Sequence, residues 1–249
     1  MDAEAVRAWR KAERARLLAE RESVEPATRD AWRRRIDGHL ERAFPGLARA
    51  TLAFCWPIRG EYDARSLIET LRARGARAAL PVVEGPRRPL SFREWRPGVA
   101  LAAGPLGIPY PAGGDTVAPT AVLLPLIGWD GAGHRLGYGG GYFDRTLASL
   151  TPRPAAIGVG YELGRLDTVH PQAWDVPMDW VVTERGVYRR DPAGLAFLGE
   201  GIAGTPSALA SPVCYADEIA PGGPEAPQAR TGPLPGERLL GILRLPWRA

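Results

Sequence analysis

Two hydrophobic spacings alternate along the first 190 residues, and they separate helices from strands. Residues 3–22 are dominated by alanine, leucine, arginine and glutamate, with no glycine or proline inside, which predicts a helix. Pro26 interrupts. Trp32, Ile36, Leu40 and Ala43 then fall on one face of a second helix, predicted from about Thr28 to Ala43. Beyond residue 50 the rhythm shortens. "TLAFCW" (51–56), "ARAALPVV" (76–83), "TAVLLPLIGW" (120–129), "AAIGVGY" (155–161) and "DWVVTE" (179–184) have the length and apolarity of buried strands. Between them, "ARSLIETLRARG" reads as a helix closed by Gly75, "SFREWRPG" as a small extra hairpin, and Asp144–Leu150 as a helix.

Strands alternating with helices predict an α/β fold, with a mainly parallel sheet covered by helices on both faces. Ligands of such sheets gather beyond the carboxyl ends of the strands. That rule selects three loops: 57–63, 130–143 and 162–178. The texture changes near residue 190. Residues 199–237 are rich in glycine, proline and alanine with little periodicity, so 1–190 is predicted as one domain and 191–249 as a largely irregular tail.

Composition narrows the partners. The 249 residues are 45% apolar and 24% charged, ordinary values for a globular protein. Cys55 and Cys214, the two cysteines, form neither a disulfide framework nor metal-ligand spacing. No apolar run approaches the ~18 residues of a membrane span and no charged-then-apolar leader opens the chain, which predicts a cytoplasmic protein without a membrane partner. The net charge is +4, and Lys11 is the only lysine among 32 basic residues. An anionic substrate would therefore be met by guanidinium forks, which suit phosphate and carboxylate. Acids are interleaved with the arginines over the first 50 positions, which speaks against a nucleic-acid partner.

The chemistry concentrates in "RLGYGGGYFDR" (135–145), where four glycines fall in five positions between an arginine and an aspartate. Tyr142 and Phe143 stand where a Walker-type loop needs lysine and serine, and Tyr142 also breaks the dinucleotide fingerprint. The run nevertheless follows a buried strand and opens a helix, so its amides can face an anion. Arg135 and Arg145 add positive charge, and Asp144 can reach a hard cation bridging phosphate oxygens. Together these suit a magnesium-nucleotide site.

The longer stretch "LPLIGWDGAGHRLGYGGGYFDR" resembles the signature of the 5-formyltetrahydrofolate cyclo-ligase (methenyltetrahydrofolate synthetase) family. "RGEYD", "LSFREWRPG", "LGIPYP" and "WDVPMDWVVTERGVY" extend the similarity from the first helix to about Arg189. The resemblance implies a fold related to the ribose-5-phosphate isomerase and CoA-transferase-like group. It also implies a reaction in which ATP and 5-formyltetrahydrofolate give 5,10-methenyltetrahydrofolate, ADP and phosphate with Mg2+, in a monomer or weak dimer. By that resemblance Arg10 and Arg14 contact the ATP phosphates, with Lys11 the other candidate for the first role. Arg135, Leu136, Gly137, Tyr138, Gly139, Gly140, Gly141, Tyr142 and Phe143 wrap the nucleotide, Arg135 and Tyr142 being the catalytic candidates. Trp56, Glu61, Tyr138 and Tyr142 face the folate, and Asp144 and Asp175 hold the metal. The chain departs from the family pattern at Gly164 (usually glutamine), His170 (usually proline) and Trp174 (usually histidine). Those departures motivate a second reading, a paralogue that binds nucleotide or folate in a regulatory role. His39 is expected to be structural and His134 exposed.

Overall fold

The computed structural model describes residues 1–200. The chain opens with two helices, α1 (Ala3–Ser23) and α2 (Pro26–Ala43). The Asp2 carboxylate caps α1 by accepting from the Ala5 amide at 2.8 Å. Pro26 starts α2 rather than merely separating the helices: at the first helical position its missing N–H costs nothing.

Then come β1 (Thr51–Ala53), α3 (Arg65–Ala73), β2 (Arg77–Val83), β3 (Leu90–Trp95), and a short pair, β4 (Leu101–Ala103) and β5 (Pro109–Pro111). They are followed by β6 (Ala121–Pro125), β7 (Gly128–Asp130), β8 (Arg135–Leu136), α4 (Tyr142–Ser149) and β9 (Ala155–Val159). β10 (Arg165–Leu166), β11 (Trp180–Thr183), β12 (Gly186–Asp191) and β13 (Gly194–Gly199) complete the described fold.

Eight strands form the main sheet in the order β13-β12-β11-β9-β6-β1-β2-β3. The five central strands run parallel, and the antiparallel pairings lie at the edges, β2 with β3 on one side and β11-β12-β13 on the other. Side chains alternate between two cores. Leu52, Leu80, Leu123, Ile157 and Val182 pack on the face covered by α2 and α3. Ala53, Ala79, Val122, Leu124 and Val181 pack on the opposite face with Leu147 of α4. The mixed α/β architecture with helices on both faces is as the alternation predicts.

Three local expectations change. "SFREWRPG" does not make a separate hairpin, because its strand β3 joins β2 over six residue pairs as an edge of the main sheet. The run 120–129 is two strands. It breaks at Leu126–Ile127, and β7 leaves the main sheet for a small three-stranded one, β10-β7-β8. Gly128 permits that turn away, since a Cβ there would lie 2.8 Å from the Leu17 methyl of α1. Finally, the segment assigned to an irregular tail begins with β13. Tyr188 and Phe197 stack across the β12-β13 pair at 4.9 Å, a contact that glycines at 194 and 199 obscure in the sequence. The rest of the predicted tail lies outside the described residues.

Candidate active site

Arg10, Arg14, Trp56, Glu61, the run Arg135–Asp144 and Asp175 line one cavity at the carboxyl ends of the parallel strands, whereas Lys11 and Arg145 do not. The three loops selected by position all reach it, and a fourth segment, the β4-β5 hairpin, adds Pro105, Ile108 and Tyr110. That hairpin carries "LGIPYP", a motif with no role assigned from its residues alone. Trp174, 70% exposed, stands at the rim.

Helix α1 supplies the arginines. Arg10 and Arg14 share a face at i, i+4. Arg14 Nε donates to the Gly137 carbonyl at 2.6 Å, leaving its two terminal nitrogens without a partner among the described residues. Arg10 donates to the Val169 and His170 carbonyls, both at 3.0 Å, and pairs with the Asp175 carboxylate. Arg10 lines the cavity and Lys11 does not. These guanidinium groups thus brace two loops as well as charge the cavity.

Gly139 (φ 92°) and Gly141 (φ 61°) both occupy the left-handed region, which explains the glycine run. Gly141 caps α4 in that conformation, so the loop turns directly into the helix and leaves the first-turn amides at the cavity. Leu136 is buried in a small cluster with Leu17 and Val169. Phe143 packs against the second core, and the Arg145 guanidinium lies 5.5 Å over the Tyr142 ring.

Arg135 is turned inward. Its side chain is 6% exposed, and Nη2 meets Asp144 Oδ1 at 2.8 Å while Nη1 donates to the Val176 carbonyl at 3.0 Å. Burial lowers its pKa from the usual arginine value, and the Asp144 carboxylate opposes that shift. Asp144 Oδ1 also accepts from the Val176 amide at 3.1 Å, and Asp175 Oδ2 from the Gln172 amide at 2.8 Å. In each aspartate one oxygen is therefore anchored by an arginine and an amide, and the other has no hydrogen-bond partner among the described residues. Two such open oxygens fit a magnesium ion that completes its shell with water and phosphate. Among the described residues no three His, Cys, Asp or Glu side chains cluster as a metal cage.

The opposite end of the cavity is acidic and aromatic. The Glu61 side chain is 4% exposed and accepts from the Ile58 amide at 3.0 Å and the Tyr138 hydroxyl at 2.9 Å. Burial raises its pKa above the usual carboxylate range, against the pull of the Ile58 amide, Arg21 and Tyr138. Trp56 lies beneath the Arg65 guanidinium at 4.9 Å.

The departures have local causes. A side chain at 164 would place its Cβ 2.7 Å from the Ile127 carbonyl, so this backbone admits only glycine there. His170 adopts φ 49° and packs edge-on against Trp9 at 4.6 Å. His39 is buried, with Nδ1 2.7 Å from the Glu200 carbonyl, and is structural. His134 is half-buried rather than exposed, its Nδ1 3.9 Å from Asp130.

The model of the 5-formyltetrahydrofolate cyclo-ligase family matches residues 6–184. The chain belongs to that family. A curated cyclo-ligase of Mycolicibacterium smegmatis is 32% identical over 184 residues, covering 70% of this chain and 93% of the relative. The solution structure of a 5,10-methenyltetrahydrofolate synthetase from Aquifex aeolicus superposes with a TM-score of 0.65 at 28% identity, over 76% of this chain and 97% of that one. A Mycoplasma pneumoniae 5,10-methenyltetrahydrofolate synthetase, 22% identical, shares the fold with a TM-score of 0.58 over 70% of this chain and 98% of that one. In this cyclo-ligase family member, Arg21 is the buried residue that sequence reasoning missed. It lies seven positions after Arg14, on the same face of α1, and that spacing is the signal that could have found it.

Proposed function

We propose that this chain catalyses the ATP-dependent cyclisation of 5-formyltetrahydrofolate to 5,10-methenyltetrahydrofolate, releasing ADP and phosphate. One observation carries the reading: the glycine loop and Glu61 open on the same cavity and are joined by the Tyr138–Glu61 hydrogen bond. The relatives carry enzyme names, which favours catalysis over a regulatory binding role.

The formamide oxygen is a poor leaving group until it is phosphorylated. Its attack on the γ-phosphorus of ATP expels ADP and leaves an imidate phosphate. Nitrogen 10 then attacks the former formyl carbon and gives up its proton to solvent, and phosphate departs as the C–N bond completes the methenyl ring. The protein's task is positioning and charge compensation. Glu61 accepts the donor edge of the pterin and Trp56 covers its face. The free nitrogens of Arg14 and the first-turn amides of α4 bind phosphate oxygens. Arg135 acts through Asp144, holding that carboxylate toward the nucleotide. Asp144 and Asp175 would hold Mg2+, which when bound neutralises charge on the transferred phosphoryl group. Tyr142, over the glycine loop, walls the reacting centre from water.

No helix among the described residues is long and apolar enough to cross a membrane, and we place the enzyme in the cytoplasm as a monomer or weak dimer. The direct test mixes purified protein, Mg-ATP and 5-formyltetrahydrofolate and follows methenyltetrahydrofolate absorbance. No product from folded protein overturns the reading.

Glu61→Gln is expected to raise the KM for folate about tenfold, from loss of a charge-assisted bond of roughly 1.5–3 kcal/mol. The KM for ATP should hardly move. Because the carboxylate is the binding form and its pKa is raised, wild-type kcat/KM for folate should fall on the acid side at a higher pH than an ordinary carboxyl would give. Loss of that limb in Glu61→Gln is the check.

A further inference from the structure

Arg21 touches no substrate in this account, yet it is the most deeply committed cation at the site. Its side chain is 3% exposed and all three guanidinium nitrogens donate. Nε bonds the Arg59 carbonyl at 2.9 Å, Nη1 the Leu126 carbonyl at 3.0 Å, and Nη2 the Tyr138 hydroxyl at 3.1 Å. One side chain from α1 therefore holds the 57–63 loop, the end of β6 and the glycine loop. The Tyr138 contact differs in kind from the other two. A guanidinium can only donate, so the hydroxyl must accept from it, and its single proton is left for Glu61 Oε1 at 2.9 Å. Arg21 thus gives the chain of bonds one direction, and that direction leaves Glu61 as an acceptor.

We propose that Arg21 is a positioning residue for the folate: through the Tyr138 hydroxyl it fixes the Glu61 carboxylate and couples it to the glycine loop. The proposal rests on the reading of the cavity as a folate-ATP site. The groups that face Glu61 are Arg21 from α1, Tyr138 from the glycine loop, Cys55 beyond β1, Tyr161 beyond β9 and the Ile58 amide of its own loop. Arg21 is the cation that opposes the upward push of burial on the carboxyl.

The test compares the full chain with Arg21→Met, Arg21→Lys, Tyr138→Phe and the Arg21→Met/Tyr138→Phe double variant, measuring KM for each substrate and the pH profile. Arg21→Met is expected to raise the KM for 5-formyltetrahydrofolate tenfold or more and that for ATP less than threefold. The acid limb of kcat/KM for folate should move to higher pH, because the carboxyl loses its neighbouring cation. Arg21→Lys, a charge without the fork, should recover part of the pH shift and less of the KM. The double variant should be no worse than the poorer single one, since both act through one bond chain. Equal rises in both KM values, an unmoved acid limb, or multiplying single effects would overturn the proposal. If Arg21→Met does not fold, Tyr138→Phe decides alone, because it spares both carbonyl contacts of Arg21; an unchanged folate KM then sinks the idea. A wild-type protein that turns over none of these substrates counts against the functional reading instead, and calorimetric binding of 5-formyltetrahydrofolate to the same variants then settles the role of Arg21.

Discussion

Asp144→Asn is expected to lower turnover by two orders of magnitude or more while the protein stays folded. Asparagine keeps an oxygen for the Val176 amide and for Arg135, so local geometry survives. What disappears is the negative charge of the oxygen open to the cavity. Magnesium usually takes one or two protein carboxylates, so removing one of two weakens the metal-nucleotide complex where phosphoryl charge builds up. Calorimetric titration with Mg-ATP should show weaker binding, and excess magnesium should restore part of the rate. Asp175→Asn should act in the same direction and less strongly, because Arg10 keeps both loop carbonyls when the carboxylate is lost. Wild-type turnover of Asp144→Asn at limiting magnesium would remove the metal assignment, and with it the case for reading the glycine loop as a nucleotide cradle.

Arg135→Met should be damaging for a different reason. It strips the cation from a largely buried pair, in which Arg135 is 6% and Asp144 18% exposed, and also orphans the Val176 carbonyl. Removing one member of such a pair costs about 3 kcal/mol, because the remaining charge stays desolvated without compensation. On the proposed metal-nucleotide site activity should fall as well, since Asp144 loses the partner that anchors it at the cavity. The decisive comparison is the double variant Arg135→Met/Asp144→Asn. With no stranded charge it should unfold at higher denaturant than Arg135→Met alone, though it remains inactive. A double variant less stable than either single one would show that Arg135 stabilises the fold through its carbonyl contact and not through Asp144.

The sequence makes some of this plain and hides the rest for definite reasons. The parallel core was legible because strands buried on both faces read as unbroken apolar runs, as in "AAIGVGY". β13 was not, because four of its six residues are half-buried and two are exposed, and an edge strand of that kind carries no strong pattern. The break at Leu126–Ile127 was hidden because the residues remain apolar while their partners change from one sheet to another. In the site, the glycine loop and its aspartate stood out by composition and order, and the whole run from Arg135 to Asp144 lines the cavity. The sense in which the arginines act did not. Nothing in their spacing says that Arg10 and Arg21 direct their guanidinium groups at loop carbonyls, since those carbonyls lie about a hundred residues or more away for all but one contact. Arg21 looked like one more charged residue among many on a basic helix.

The anchorage of α1 bears on the order in which this molecule comes together and apart. The helix is synthesised before the loops its arginines bind, so Arg14 must wait for Gly137 and Arg10 for Val169 and Asp175. Contacts of such sequence separation form late and slowly. Once formed they bury little: Leu17 and Leu18 belong to a small cluster with Ile127, Leu136 and Val169, distinct from the two cores that sandwich the sheet. Local opening of α1 with the sheet intact is the expected result: its amides should exchange with solvent well before those of the central strands. The arginines proposed for ATP, the clamp on the glycine loop and the link to Glu61 all ride on that one helix, so its local opening would dismantle the proposed site and leave the sheet intact.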